Sequence, residues 1–210
     1  RFRMKLHKLK DRVDEINQAA TANARLAADE VERTVLVAGS MGPTGELLFP
    51  LGELTAQEAQ EGFAEQAAAL TAGGADLLWL ETLSSLEEME AGVKGAQSVS
   101  DLPIVVTMSY DTAGRTMMGV TGTEMGARLA ELGVSATGAN CGANLADTES
   151  AVTQIKEANG GLPVVSKGNA GIPVWVGSDL HYDGTPEIMA AHAYRLRQAG
   201  ISIIGSCCGS

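Results

Sequence analysis

The chain has 210 residues, 45% hydrophobic and 20% charged, which suits one globular domain, 1–210, with a sizeable core. A formal net charge of −11 without a long basic cluster argues against non-specific nucleic-acid binding, and no apolar run approaches the length of a membrane span. Three cysteines, an odd number with an adjacent pair, make a poor disulfide framework and fit a reducing, cytoplasmic compartment with metal or catalytic use.

Residues 6–32 are polar, alanine-rich and helical in period, and residues 34–39 read as a buried strand. A helix over 54–72 opens at Thr55 with Glu58 three positions on, a capping-box spacing. A strand over 76–80 follows. Ser84 and Glu87 predict the start of a helix over 84–99. A strand over 103–108, a helix over 121–132 and a weaker strand over 134–139 come next. The chain continues with a helix over 146–158 and a strand over 162–166. Pro186 stands in the first turn of a helix over 185–199, and 201–204 is the last strand.

Six strands, each preceded by a helix, mean an α/β fold with a parallel sheet. Distinctive residues follow nearly every strand: Ser40-Met41-Gly42-Pro43, Glu81-Thr82, Ser109-Tyr110-Asp111, Asn140-Cys141, Gly168-Asn169-Ala170 and Cys207-Cys208. In a (β/α)8 TIM barrel all such ends meet on one face, whereas an open sheet gathers ligands at one switch point. Six decorated ends favour the barrel. Six strands are too few to close it, so about two βα units are expected to be missing and the chain is expected to be truncated at both ends.

All three cysteines fall at strand ends. Cys141 stands in Gly138-Ala139-Asn140-Cys141-Gly142, and Cys207 and Cys208 stand in Gly205-Ser206-Cys207-Cys208-Gly209. Free cysteines often serve as small buried residues. Here their placement and the flanking glycines point instead to a metal. Three thiolates are one ligand short of a closed tetrahedral zinc site, which is how a catalytic zinc is held. Adjacent cysteines in a regular strand face opposite ways, so both reach one ion only if the chain leaves strand geometry there. An incoming thiol that becomes the fourth sulfur would be held as an electron-rich thiolate, a competent nucleophile toward an activated methyl group.

Other residues carry weaker signals. Glu81 can pair with a substrate ammonium or simply cap a helix, and Asn140 can orient a substrate or tie a turn. Asn169 reads as a turn residue and Met117-Met118 as packing. Gly39 to Gly45 lacks the Lys-Ser/Thr of a phosphate loop. His7, His181 and His192 follow no strand end and are expected to be solvated or satisfied, not ligands.

These motifs resemble the homocysteine-binding domain of the homocysteine S-methyltransferase family. That family includes betaine–homocysteine methyltransferase and the N-terminal module of cobalamin-dependent methionine synthase. The matching pieces run through nearly the whole chain: residues 37–45, Glu81-Thr82, residues 108–119, residues 138–141, Asn169-Ala170-Gly171 and residues 205–209. The resemblance implies zinc on Cys141, Cys207 and Cys208. It also implies Glu81, Asn140 and Ser40 at the substrate, Glu81 helping to hold the homocysteine amino group. Two departures stand out. The family's first strand, with its Asp-Gly loop, is absent. Ser206 also replaces a usual glycine and is tolerated only if its backbone needs no positive φ.

The activity so implied is zinc-dependent methyl transfer to the thiol of homocysteine, forming methionine, with betaine or another onium compound as donor. A methylcobalamin-dependent methionine synthase module, with a corrinoid partner, and a non-catalytic zinc-binding barrel domain of a larger assembly are the alternatives. A homo-oligomer is compatible with either. Cys207-Cys208 as a redox switch is a third reading.

Overall fold

The computed structural model describes residues 1–210. The chain divides into two compact units, residues 1–81 with 87–105, and residues 82–86 with 106–210.

The first unit opens with a short helix α1 (Phe2–Lys5), a 3₁₀ turn (Lys10–Arg12) and helix α2 (Val13–Asp29). One long helix over 6–32 is expected from the sequence. Lys8 instead takes a left-handed conformation (φ 58°), so the regular helix begins only at Val13. Strand β1 (Ala38–Met41) follows, then helix α3 (Ala56–Ala72), most of strand β2 (Leu77–Leu83), helix α4 (Leu86–Gln97) and the start of strand β3 (Ile104–Met108). Strands β1 and β2 are parallel, with Ala38 opposite Leu77 and Met41 opposite Leu80. Strand pairing starts later than the sequence suggests because the Val37 N–H is taken by the Asp76 carboxylate at 2.6 Å. Arg25 closes on the same carboxylate, and these contacts, the backbone one first, hold Asp76 below its usual range.

Thr55 and Glu58 form the expected capping box. Helix α4 opens at Leu86, two residues after the expected start at Ser84. The carboxylate of Glu88 accepts from the N–H and hydroxyl of Thr44 at 2.7 and 2.6 Å. The many small residues serve close packing. A Cβ on Gly95 would stand 2.5 Å from the Gln60 carbonyl oxygen of α3.

The second unit holds the end of β2, the rest of β3, helix α5 (Gly122–Leu132), strand β4 (Ala136–Cys141), helix α6 (Leu145–Ala158), strand β5 (Val164–Gly168), a hairpin of β6 (Val174–Val176) and β7 (Asp179–His181), helix α7 (Pro186–Gln198) and strand β8 (Ile203–Ser206). Strand β5 pairs in parallel with both β4 and β8. Thr121 and Glu124 make a second capping box at α5, and Thr185 caps α7 ahead of Pro186. The hairpin is unforeseen by the periodicity because all its residues are exposed, which leaves no apolar alternation. Its signal is the Gly177-Ser178 turn, with Gly177 at φ 65°.

Strand order in the six-stranded sheet is β1-β2-β3-β4-β5-β8, and β2 and β3 each contribute to both units. The order follows the chain without reversal, so the sheet has no switch point of the doubly wound kind. This is the α/β winding of an incomplete (β/α)8 barrel.

Gly138 tests the β4–β5 spacing. A Cβ there would stand 1.9 Å from the Val165 carbonyl oxygen, which is fixed in the sheet. Gly138→Ala is expected to cost about 1–3 kcal/mol in denaturant unfolding. An unchanged midpoint would show that the strands separate without penalty.

Candidate metal centre

In the second unit the strand register sets Cys141 level with Gly168 and Gly168 level with Ser206. Cys141 is the last residue of β4, and the pair Cys207-Cys208 comes directly after β8. Cys141 is left-handed (φ 60°), as is Gly142 (φ 87°), and these two steps turn the chain out of β4. Beyond β8 the chain leaves strand geometry and turns through Gly209 (φ 84°), as two adjacent ligands require. A Cβ at Gly209 would also stand 2.3 Å from the Tyr182 ring. Ser206 lies outside the positive-φ set, which explains why a serine is accepted there. Gly205 needs no special φ either, and an added Cβ would press on the Lys167 stem at 3.3 Å.

The three sulfurs converge. Cys141 Sγ and Cys207 Sγ are 3.2 Å apart, and all three Sγ atoms lie within 4.8 Å of one another. Zn–S bonds of about 2.3 Å in a tetrahedron separate sulfurs by about 3.8 Å. The donor set therefore fits one ion with shifts of an ångström or less. Cys141 and Cys207 are half-buried and Cys208 is exposed, which leaves one side open to an incoming ligand.

Two asparagines fix the loops that carry the sulfurs. Asn169 Oδ1 accepts from the Cys208 N–H at 2.9 Å, and Asn169 Nδ2 donates to the Gly142 carbonyl at 3.1 Å. Its backbone N–H reaches the Cys141 carbonyl at 3.4 Å, while the Cys207 N–H donates to the Gly168 carbonyl at 3.0 Å. Asn140 is 1% exposed. Its Oδ1 accepts from the Thr82 N–H at 2.9 Å and from the Thr107 hydroxyl at 2.7 Å. Its Nδ2 donates to Thr82 Oγ1 at 2.8 Å and to Cys141 Sγ at 3.3 Å. The sequence reads Asn169 as a turn residue, names Thr82 only as a strand-end neighbour of Glu81, and gives Thr107 no role beyond its strand. The only local signal is an asparagine at a strand end; its partners lie 27 and 39 residues away.

The electrostatics divide the thiols. Burial pushes Cys141 up to about 12, and the neighbouring Cys207 adds to it. Burial opposes ionisation of Cys207 too. Hydrogen bonds from Cys141 and Cys208, with the positive charge of Lys167, outweigh it and bring Cys207 below the usual thiol value. Cys208 is raised, by burial and then by the charge on Cys207. Cys207 is thus displaced toward the thiolate, and Cys141 and Cys208 toward the thiol.

In the first unit, Ser40 Oγ donates to Glu81 Oε1 at 2.6 Å, which joins two of the expected substrate residues. No histidine enters the cysteine cluster. His7 and His181 are exposed. His192 is buried with Nδ1 2.7 Å from Glu149 Oε1, but its Nε2 has no hydrogen-bond partner, so it is only half satisfied. Met117 and Met118 are 75% and 38% exposed, not packed as expected, because the loop that carries them stands outside the core.

A family model described as homocysteine S-methyltransferase matches residues 1–210. The chain is 31% identical to the methionine synthases of Mycobacterium leprae and Mycobacterium tuberculosis, over 95% of its own length. It spans only 17% of the length of these relatives. Among solved structures, it resembles the homocysteine methyltransferase MmuM from Escherichia coli. The apo form aligns with a TM-score of 0.69 at 22% identity, over 94% of this chain and 70% of that one. The metallated form aligns at 0.65 and 25% identity, over 92% and 67%.

Two measurements check the centre. Zinc content is expected to be about one per chain and to fall sharply in Cys208→Ala, since a trithiolate site has no ligand to spare; unchanged occupancy would remove Cys208 from the ligand set. In the metal-free chain, alkylation by iodoacetamide followed by peptide mass analysis is expected to label Cys207 at lower pH than Cys208 or Cys141. Labelling that begins at Cys141 would reverse the order of these displacements.

Proposed function

This chain belongs to the homocysteine S-methyltransferase family, and on that premise we propose that its cysteine cluster is a zinc centre at which homocysteine receives a methyl group to become methionine. The carrying observation is the set of three sulfurs within 4.8 Å, open on one side, at the C-terminal ends of parallel strands. When bound, zinc would hold the substrate sulfur as a thiolate at neutral pH.

The residues of the chain supply the rest. Cys141, Cys207 and Cys208 offer the sulfur donors, and Asn169 ties together the turns that bear them. Glu81 is proposed to receive the ammonium group of the amino acid, with its carboxylate oriented by the Ser40 hydroxyl. In the transfer, the substrate thiol has lost its proton to solvent. A lone pair of its sulfur forms the new S–CH3 bond, and the bond from methyl to donor breaks with its electron pair leaving on the donor. Alignment of sulfur, methyl and leaving group accounts for much of the acceleration in such a displacement.

The donor must carry an activated methyl group. Betaine or another onium compound satisfies this chemistry and is the reading we propose. A methyl-corrinoid on a partner satisfies it too, and the 31% identity to methionine synthases favours that second reading specifically. One homocysteine-binding domain over 1–210 accommodates both.

A donor panel with the zinc-loaded protein tests the proposal. Methionine is expected from homocysteine with an onium donor; turnover with methylcobalamin alone would select the second reading, and no turnover or homocysteine binding would leave a zinc-binding module. Glu81→Gln is expected to raise the KM for homocysteine about 10- to 100-fold, the loss of a charged hydrogen bond. An unchanged KM would remove Glu81 from the substrate.

A further inference from the structure

We infer that Asn140 is a positioning residue that sets the Cys141 sulfur for metal binding and holds Thr82 in a strained backbone conformation, and not a contact for the substrate. The inference takes the metal reading of the cysteine cluster as its premise.

Thr82 has φ 64°. Left-handed backbone is rare for a β-branched residue and persists only where surrounding contacts over-determine it. Asn140 supplies those contacts at both ends of the residue, accepting from the Thr82 N–H and donating to the Thr82 hydroxyl. The Thr107 hydroxyl completes the acceptor side. The second amide proton goes to Cys141 Sγ.

A carboxamide has two donors and one oxygen with two lone pairs. All four positions are used, and the side chain is buried. Asn140 therefore has no polar group left to offer a ligand unless this network breaks. Its N–H···S contact does for Cys141 what outer hydrogen bonds do for metal ligands in general: it orients the donor atom and tunes its electron density. Cys141 is itself left-handed, so the direction of its sulfur is not fixed by strand geometry and needs such a restraint.

The test separates the sulfur contact from the backbone restraint. Asn140→Ala removes both. The double variant Asn140→Ala/Thr82→Gly removes the strain as well, because glycine adopts positive φ freely. Zinc affinity is measured by chelator competition, metal-free stability by thermal unfolding, and the donor set by the thiolate-to-metal absorption band of the cobalt(II)-loaded chain. Asn140→Ala is expected to weaken zinc about 10- to 100-fold, to shift the cobalt band and to lower the metal-free melting temperature. The double variant is expected to recover stability but neither zinc affinity nor the cobalt band.

Wild-type zinc affinity in Asn140→Ala, with a raised KM for homocysteine instead, would overturn the inference and make Asn140 a substrate contact. Affinity restored together with stability in the double variant would also overturn it, by reducing Asn140 to a support of the fold. Failure of the wild-type chain to bind zinc would sink the metal reading itself and is read before either variant.

Discussion

Two strands that do not pair with each other must deliver sulfur to one point. Strand β5 lies between β4 and β8, and neighbouring strands stand about 4.8 Å apart, so the chains that carry Cys141 and Cys207 are roughly 9.5 Å apart at the sheet. Register brings them level, since Cys141, Gly168 and Ser206 form one row. Departure from strand geometry closes the remaining gap. The left-handed pair Cys141-Gly142 turns one sulfur inward, and the turn through Gly209 brings the other two. Without both conditions, level strand ends and broken strand geometry, the 3.2 Å approach of Cys141 and Cys207 could not occur.

Such geometry has a cost, which the surroundings offset. Non-glycine residues held in left-handed backbone cost on the order of 1–3 kcal/mol each, and both Thr82 and Cys141 are of this kind. The offset comes from hydrogen bonds made by two asparagines whose own polar atoms are thereby satisfied. A buried carboxamide is stabilising only when fully paired, and Asn140 meets that condition. The same parts that relieve the strain orient the donor atoms, so structure and chemistry share one network.

The reactivity of the cluster follows from its incompleteness. Three thiols crowded together cannot all ionise freely, and the opposite displacements of Cys141 and Cys207 express that. A divalent cation relieves the crowding by replacing protons, which couples metal uptake to proton release. The open side at Cys208 then distinguishes this arrangement from a closed structural site. Under the proposed function, the sulfur of homocysteine would complete the tetrahedron.

Much of this was legible from residue order. Strand–helix alternation reported the parallel sheet, and the Thr55–Glu58 spacing reported a helix start. The placement of all three cysteines at strand ends reported that their sulfurs converge, because in a parallel winding strand ends share a face. Local patterns carry such information since backbone periodicity and capping act over a few residues. The hydrogen-bond partners of Asn140 and Asn169, the strain at Thr82 and the opposite displacements of the Cys141 and Cys207 thiols were decided only by the tertiary structure. Each depends on groups brought together from positions tens of residues apart, and neither hydrogen-bond partners nor burial at such separations is encoded in any local pattern. The hairpin at β6–β7 marks the boundary: its turn residues are written in the sequence, but its solvent-facing strands carry no apolar rhythm by which to read them.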